Sequence, residues 1–348
     1  MSKMNSNKQF LAGFLIFVIL GLFPVYSDSM RNITDMLGRE VTVPGTVSRV
    51  LSGTPPTTII VFMLAPEKLL GWNFKPNGAL ISDKYRRLPV IGGWFGKKSG
   101  NYETLISMKP EIYLEGYSNL GAVNRETLDK RQRNLGSIPV VGVKDSVSID
   151  EYSRVIRFIG TLIGAEKKAD DLDRYYTGIL KEIEDFTSAL GEQEKVDVYY
   201  AEGPKGLLTD PSGSIHSGLI DFCGGKNVAR VSSKKGYGRI EVSMEQIILW
   251  DPSVIITTEA SFFRNVYKDP RWKAVKAVRD RRVYLSPREP FGWFDRPAGI
   301  NRIPGILWTA SKLYPDKFKP EEVIVKIKEF YREFYHYELK NSDIKRLF

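Results

Sequence analysis

The chain has 348 residues, 42% hydrophobic and 26% charged, which is ordinary for a soluble globular protein and long enough for two domains. One cysteine excludes an intrachain disulfide, and two histidines make a bare zinc or manganese site, which usually takes several imidazoles, a poor expectation. A formal charge of +10 without a nucleic-acid motif favours anionic ligands or surfaces over DNA.

Lys3 and Lys8 precede an uncharged apolar run from Phe10 to Phe23, and Val25 and Ser27 suit the small positions before a cleavage site. The run holds about 14 residues against the roughly 20 needed to span a bilayer, so residues 1–27 read as a secretory signal peptide. An uncleaved membrane anchor is the alternative. No cysteine stands near the run to carry a lipid, and the expected location is the periplasm.

Residues 28–164 read as an N-terminal lobe. A hairpin over 33–43 turns at Leu37-Gly38-Arg39, and a strand over 47–52 leads through Gly53-Thr54-Pro55-Pro56 into a helix over 57–64. Such a β-turn-α start puts backbone N–H groups and the helix dipole where an anion can bind, which marks Thr54. Strands are expected over 68–72, 88–91 and 138–143. Between them, Glu103-Thr-Leu-Ile-Ser-Met-Lys-Pro110 reads as a short helix stopped by proline, ahead of a buried strand. Ser148 and Glu151 match a capping box for the next helix, and Gly164 ends it.

Residues 165–190 keep helical spacing throughout. About 25 residues span roughly 37 Å, enough for a strut between lobes. A C-terminal lobe over 191–348 then repeats the earlier pattern: a strand over 196–201, a helix over 214–223, and Glu245-Gln-Ile-Ile-Leu-Trp-Asp-Pro252 with another buried strand behind it. A strand over 282–285 and a last helix over 321–335 complete it. Cys223 reads as a small core residue. The fold class is therefore α/β, two similar lobes with parallel sheets joined by a long helix, a layout suited to closing on a ligand from both sides.

Gly93-Trp94-Phe95 and Gly292-Trp293-Phe294 put one tryptophan on each lobe in glycine-rich loops, where rings are expected to be exposed to a ligand. Arg264 and Arg296 can each pair an anion through two parallel hydrogen bonds. Tyr117 and Tyr237 offer phenols, and His216 stands at a helix start. No G-x-S-x-G, H-E-x-x-H, P-loop or G-x-G-x-x-G follows a strand, so an enzyme is not expected.

Asp35-Met-Leu-Gly-Arg-Glu-Val-Thr-Val-Pro44, the Glu103 and Glu245 segments, Gly224-Gly-Lys-Asn-Val228 and Trp293-Phe-Asp-Arg-Pro297 occur in an order that resembles the class III periplasmic binding proteins of ABC importers. The resemblance implies two Rossmann-like lobes on a rigid helix, with a ligand cleft between them and little hinge motion. It implies a monomer that meets a permease and its ATPase, with Glu103 and Glu245 docking one lobe each. The implied cargo is an iron chelate of siderophore type. Molybdate or tungstate, cobalamin and haem are alternatives, and a ligand-sensing domain is an alternative of another class. No resident cofactor or protein-ligated metal is implied.

Overall fold

The computed structural model describes residues 29–95, 100–118, 124–146, 148–231 and 238–348; the signal peptide expected over residues 1–27 and Tyr237 lie outside them. The hairpin forms as expected, β1 (Met30–Thr34) antiparallel to β2 (Glu40–Pro44). β3 (Val50–Ser52) then enters α1 (Pro55–Leu64), all ten of whose residues are buried. The stretches over 68–72 and 88–91 are not strands. They form single bridges, Leu69 to Val50 and Trp72 to Val90, and Pro89 has no N–H to extend the second into a ladder. A short helix, α2 (Asp83–Arg86), lies between them.

The repeated segments become the same device twice. α3 (Tyr102–Ser107) is capped by Asn101, whose side chain accepts from the Thr104 amide. It leaves through Lys109 at φ 50° into Pro110 and β4 (Ile112–Ser118). Further along, α8 (Met244–Trp250) is capped by Ser243 and leaves through Asp251 at φ 38° into Pro252 and β10 (Val254–Thr257). In both copies a polar cap starts the helix and proline forbids its continuation.

After β4 come α4 (Arg125–Leu135) and β5 (Val140–Ser146), and the N-lobe sheet runs β3-β4-β5, all parallel. Ser148 and Glu151 do bond, but as a turn ahead of the helix; α5 (Tyr152–Ile163) begins only after Glu151. Gly164 ends it in the left-handed region at φ 66°. The strut is α6 (Glu166–Thr187), 22 residues and about 33 Å long.

The C-lobe holds β6 (Val196–Ala201), β7 (Leu208–Thr209), α7 (Gly218–Phe222), β8 (Gly225–Asn227) and β9 (Ile240–Glu241), followed by α8 and β10. α9 (Ala260–Asn265), α10 (Lys276–Arg279) and β11 (Val283–Leu285) follow, and the main sheet runs β11-β10-β6-β8, again all parallel. Past Pro297 the chain loops on to α11 (Ile303–Leu313). α12 (Pro320–Phe334) and α13 (Asn341–Leu347) close the chain.

Each sheet has a core on its outer face, while a single apolar cluster joins α1, α5, α6, α11 and α12 across both lobes. Phe62 of α1 sits 5.9 Å from the ring of Phe291 and 6.4 Å from that of Tyr335, so N-lobe and C-terminal aromatics share one core. A shared core resists opening of the lobes, because separating them exposes apolar surface on both.

Candidate functional site

Parallel strands place the loops that follow them along one edge of a sheet, and in both lobes these loops carry the polar residues. In the C-lobe, Glu202 directly follows β6, Asp210 follows β7, His216 lies ahead of α7, and Asp295 and Arg296 lie in the loop after β11. Arg296, in the left-handed region at φ 42°, reaches Asp210 at 2.7 Å, Asp295 at 3.0 Å and Glu202 at 3.5 Å. Asp295 also meets the His216 Nδ1 at 2.6 Å, and Arg239 donates to Glu202 at 2.7 Å. The cluster is layered. The carboxylates of Glu202, Asp210 and Asp295 are fully buried, whereas the side chains of His216, Arg296 and Arg239 are 21%, 35% and 37% exposed. What the lobe presents is therefore the cationic, donor-rich side of the cluster.

Burial pushes the Glu202 carboxyl up to about 8, and its contact with Asp210 pushes in the same direction, against the pull of Arg296 and Arg239. The shift favours the neutral form of Glu202, which leaves the two guanidinium groups with one negative charge fewer to neutralise them. An ordinary glutamate gives up its proton near 4.5. Between those values the folded chain holds a proton that the unfolded chain has lost, so stability falls as pH rises from 4.5 to about 8. Glu202→Gln is expected to flatten this slope in urea-unfolding experiments across that window, and an unchanged slope would remove Glu202 as its source. Part of the slope persists in the variant, because burial also raises Glu115 to about 7.

Asp210, His216 and Asp295 each offer one atom within 4.8 Å of the others, a spacing compatible with a cation. Arg296 already binds both of those carboxylates, so a metal ion entering there has to displace it.

The N-lobe side differs from the sequence expectation. The start of α1 was expected to hold an external anion at Thr54, yet Pro55 and Pro56 have no N–H to offer. Asp145, from the end of β5, fills the position instead: its buried carboxylate accepts from the hydroxyls of Thr54 and Thr57. Trp94 packs on its own lobe, its ring 3.6 Å from the Arg131 guanidinium and 4.9 Å from Tyr102. Arg131 in turn pairs with buried Glu115 at 3.2 Å. The loop bearing Trp94 lies against the Gly53 carbonyl, so close that a Cβ on Gly93 would meet that oxygen at 2.2 Å. Tyr117 donates to the Met36 carbonyl at 2.6 Å, which ties it to the N-terminal hairpin.

Trp293 corrects the expectation of opposed exposed rings. It is fully buried with Phe291 and Phe294, and its indole N–H donates to the Tyr331 hydroxyl of α12 at 3.0 Å. A tryptophan goes inside when its N–H finds a partner there, since the ring then gains full burial without an orphaned donor. Of the eight cleft residues expected from sequence, His216 and Arg296 come together on one carboxylate, Asp295, while Arg264 is exposed on α9. Glu202, Asp210, Asp295 and Arg239 were not anticipated as members. For Glu202 and Asp210 the signal was an acid directly after a strand, β6 and β7; Asp295 and Arg239 carried no such mark.

The lobes meet beneath these loops. The Tyr152 hydroxyl donates to the Ala298 carbonyl at 3.3 Å, Gly299 faces Pro56 of α1, and Asn77 bonds to the Arg288 and Pro290 carbonyls. Glu103 and Glu245 are both exposed, one in the first turn of α3 and one in the first turn of α8. Neither forms an ion pair among the described residues. No helix among the described residues is long and apolar enough to cross a membrane.

Comparison with known proteins agrees with this architecture. A solute-binding protein of an ABC transporter from Sulfurospirillum deleyianum superposes with a TM-score of 0.82 at 33% identity, over 91% of this chain and 99% of that one. The ABC transporter substrate-binding lipoprotein YvrC of Bacillus subtilis, itself uncharacterised, is 27% identical over 86% of this chain and 88% of its own length. The molybdate-binding protein MolA of Haemophilus influenzae is 23% identical over 97% of this chain and 99% of its own. The profile of the periplasmic binding protein family matches residues 93–290, more than half of the sequence. With both lobes, the connecting helix and the paired acid-bearing helices in place, the chain belongs to the periplasmic binding protein family, as a class III substrate-binding protein of an ABC transporter.

Proposed function

We propose that this protein captures a small oxyanion of the molybdate class between its lobes, outside the cytoplasmic membrane, and delivers it to an ABC permease and its ATPase. It does so as a monomer and without catalysis, and Glu103 and Glu245 are the points at which the lobes meet the permease. The observation that carries the reading is the layering of the C-lobe cluster. Arg239, Arg296 and His216 face outward over buried carboxyls, one of them shifted toward its neutral form, and two guanidinium groups converging on Glu202 make a clamp for an oxyanion. The molybdate named for MolA, a relative along nearly the whole chain, supports the same class. A large planar iron chelate rested on two opposed tryptophans, and with Trp293 in the core that support is gone.

Calorimetric titration with molybdate, tungstate, a ferric siderophore, haem and cobalamin tests the cargo. Saturable binding of molybdate or tungstate is the expected result. Binding of a chelate or tetrapyrrole with no response to either oxyanion would overturn the cargo assignment.

A further inference from the structure

We infer that each lobe docks through a two-part pad, in which a carboxylate and an apolar side chain one helical turn further on meet the permease together: Glu103 with Ile106 on α3, and Glu245 with Ile248 and Leu249 on α8. This rests on the reading of both acids as docking points and adds a second component to it.

Among the described residues seven large hydrophobic side chains are exposed, and three of them fall on these two helices, which are only six and seven residues long. Their placement repeats between the lobes. Two residues after each acid comes a side chain that serves the lobe's own core, Leu105 at 1% and Ile247 at 0% exposure. Three residues after it comes an apolar side chain facing water, Ile106 at 43% and Ile248 at 40%, and α8 adds Leu249 at 78%. Positions three or four apart share a helix face, so the acid and the apolar group belong to one surface patch. A scattered exposed aliphatic needs no explanation, but the same pairing at equivalent places in two lobes is a feature of the duplicated unit.

The patch fits a protein surface carrying a basic residue beside an apolar depression, presented once to each lobe. An anionic lipid surface repels Glu103 and Glu245, and a second copy of this chain sets acid against acid. In such a pad the acid steers the encounter and the buried apolar group lengthens its lifetime.

The test measures binding of the full chain to its permease–ATPase complex in nanodiscs, for Ile106→Ser with Leu249→Ser and for Glu103→Arg with Glu245→Arg. Both apolar residues are solvent-facing, so an unchanged melting temperature verifies that the fold is intact. The inference expects the serine variant to bind about tenfold more weakly, through faster dissociation, with an unchanged association rate. Serine variants that dissociate like the parent, while the arginine variants fail to bind, would overturn the apolar component and leave the acid docking standing. Full binding by both variants would overturn the docking reading and the pad with it. Binding to empty nanodiscs that the serine variant loses would assign the apolar groups to lipid, and that also overturns the inference.

Discussion

Glu103→Arg combined with Glu245→Arg is expected to abolish uptake while the affinity for cargo in solution stays at the parent value. Both side chains are exposed on short helices of separate lobes, and neither belongs to the cleft cluster, so reversing them leaves the ligand contacts and the fold untouched. With the acids docking as proposed, each reversal replaces an attraction at the permease by a like-charge contact, and such juxtapositions cost several kcal/mol. Two of them together exceed what a transient interface can absorb, whereas a single reversal should leave residual transport. ATP-driven uptake measured beside cargo titration separates the two properties, and undiminished uptake by the double variant would exclude the acids from docking.

Arg296→Ala is expected to lower oxyanion affinity by about 10- to 100-fold, the range that follows from losing hydrogen bonds to a charged group. It should also destabilise the free protein by about 3 kcal/mol, because Asp210 and Asp295 remain buried without their guanidinium. Adding Asp210→Asn removes one orphaned charge and should restore part of the stability but none of the affinity. That divergence between melting and binding distinguishes a ligand contact from a residue that only holds the cluster together. Arg296→Lys keeps the charge and loses the two-pronged geometry, so it should rescue stability better than affinity. Parent-like affinity in Arg296→Ala would place the cargo elsewhere in the cleft.

The fold was legible in the sequence wherever local chemistry and the hydrophobic pattern agreed. The paired segments from Glu103 and Glu245 carry their own cap, their own stop and a continuous apolar run for a strand buried on both faces, so they form as read. Residues 68–72 and 88–91 carry apolar runs as well, but they form only single bridges, and Pro89 has no N–H to extend the one they share, a tertiary outcome that periodicity does not register. The candidate site was legible only in part. His216 and Arg296 were found from residue type, yet what gives them a role is the buried layer of Glu202, Asp210 and Asp295 beneath them, drawn from three different loops. Trp94 and Trp293 were misread for a related reason. Glycine-rich flanks suggest an exposed ring, while Arg131 stacking on one and the Tyr331 hydroxyl bonded to the other are long-range contacts.

Delivery of a cleft-bound oxyanion to the importer is read out by labelled molybdate uptake into proteoliposomes bearing the permease–ATPase complex, with this protein supplied or omitted on the outer face. ATP-dependent accumulation only when the protein is present is the expected result; equal accumulation without it, or none with it, would refute oxyanion delivery by this protein.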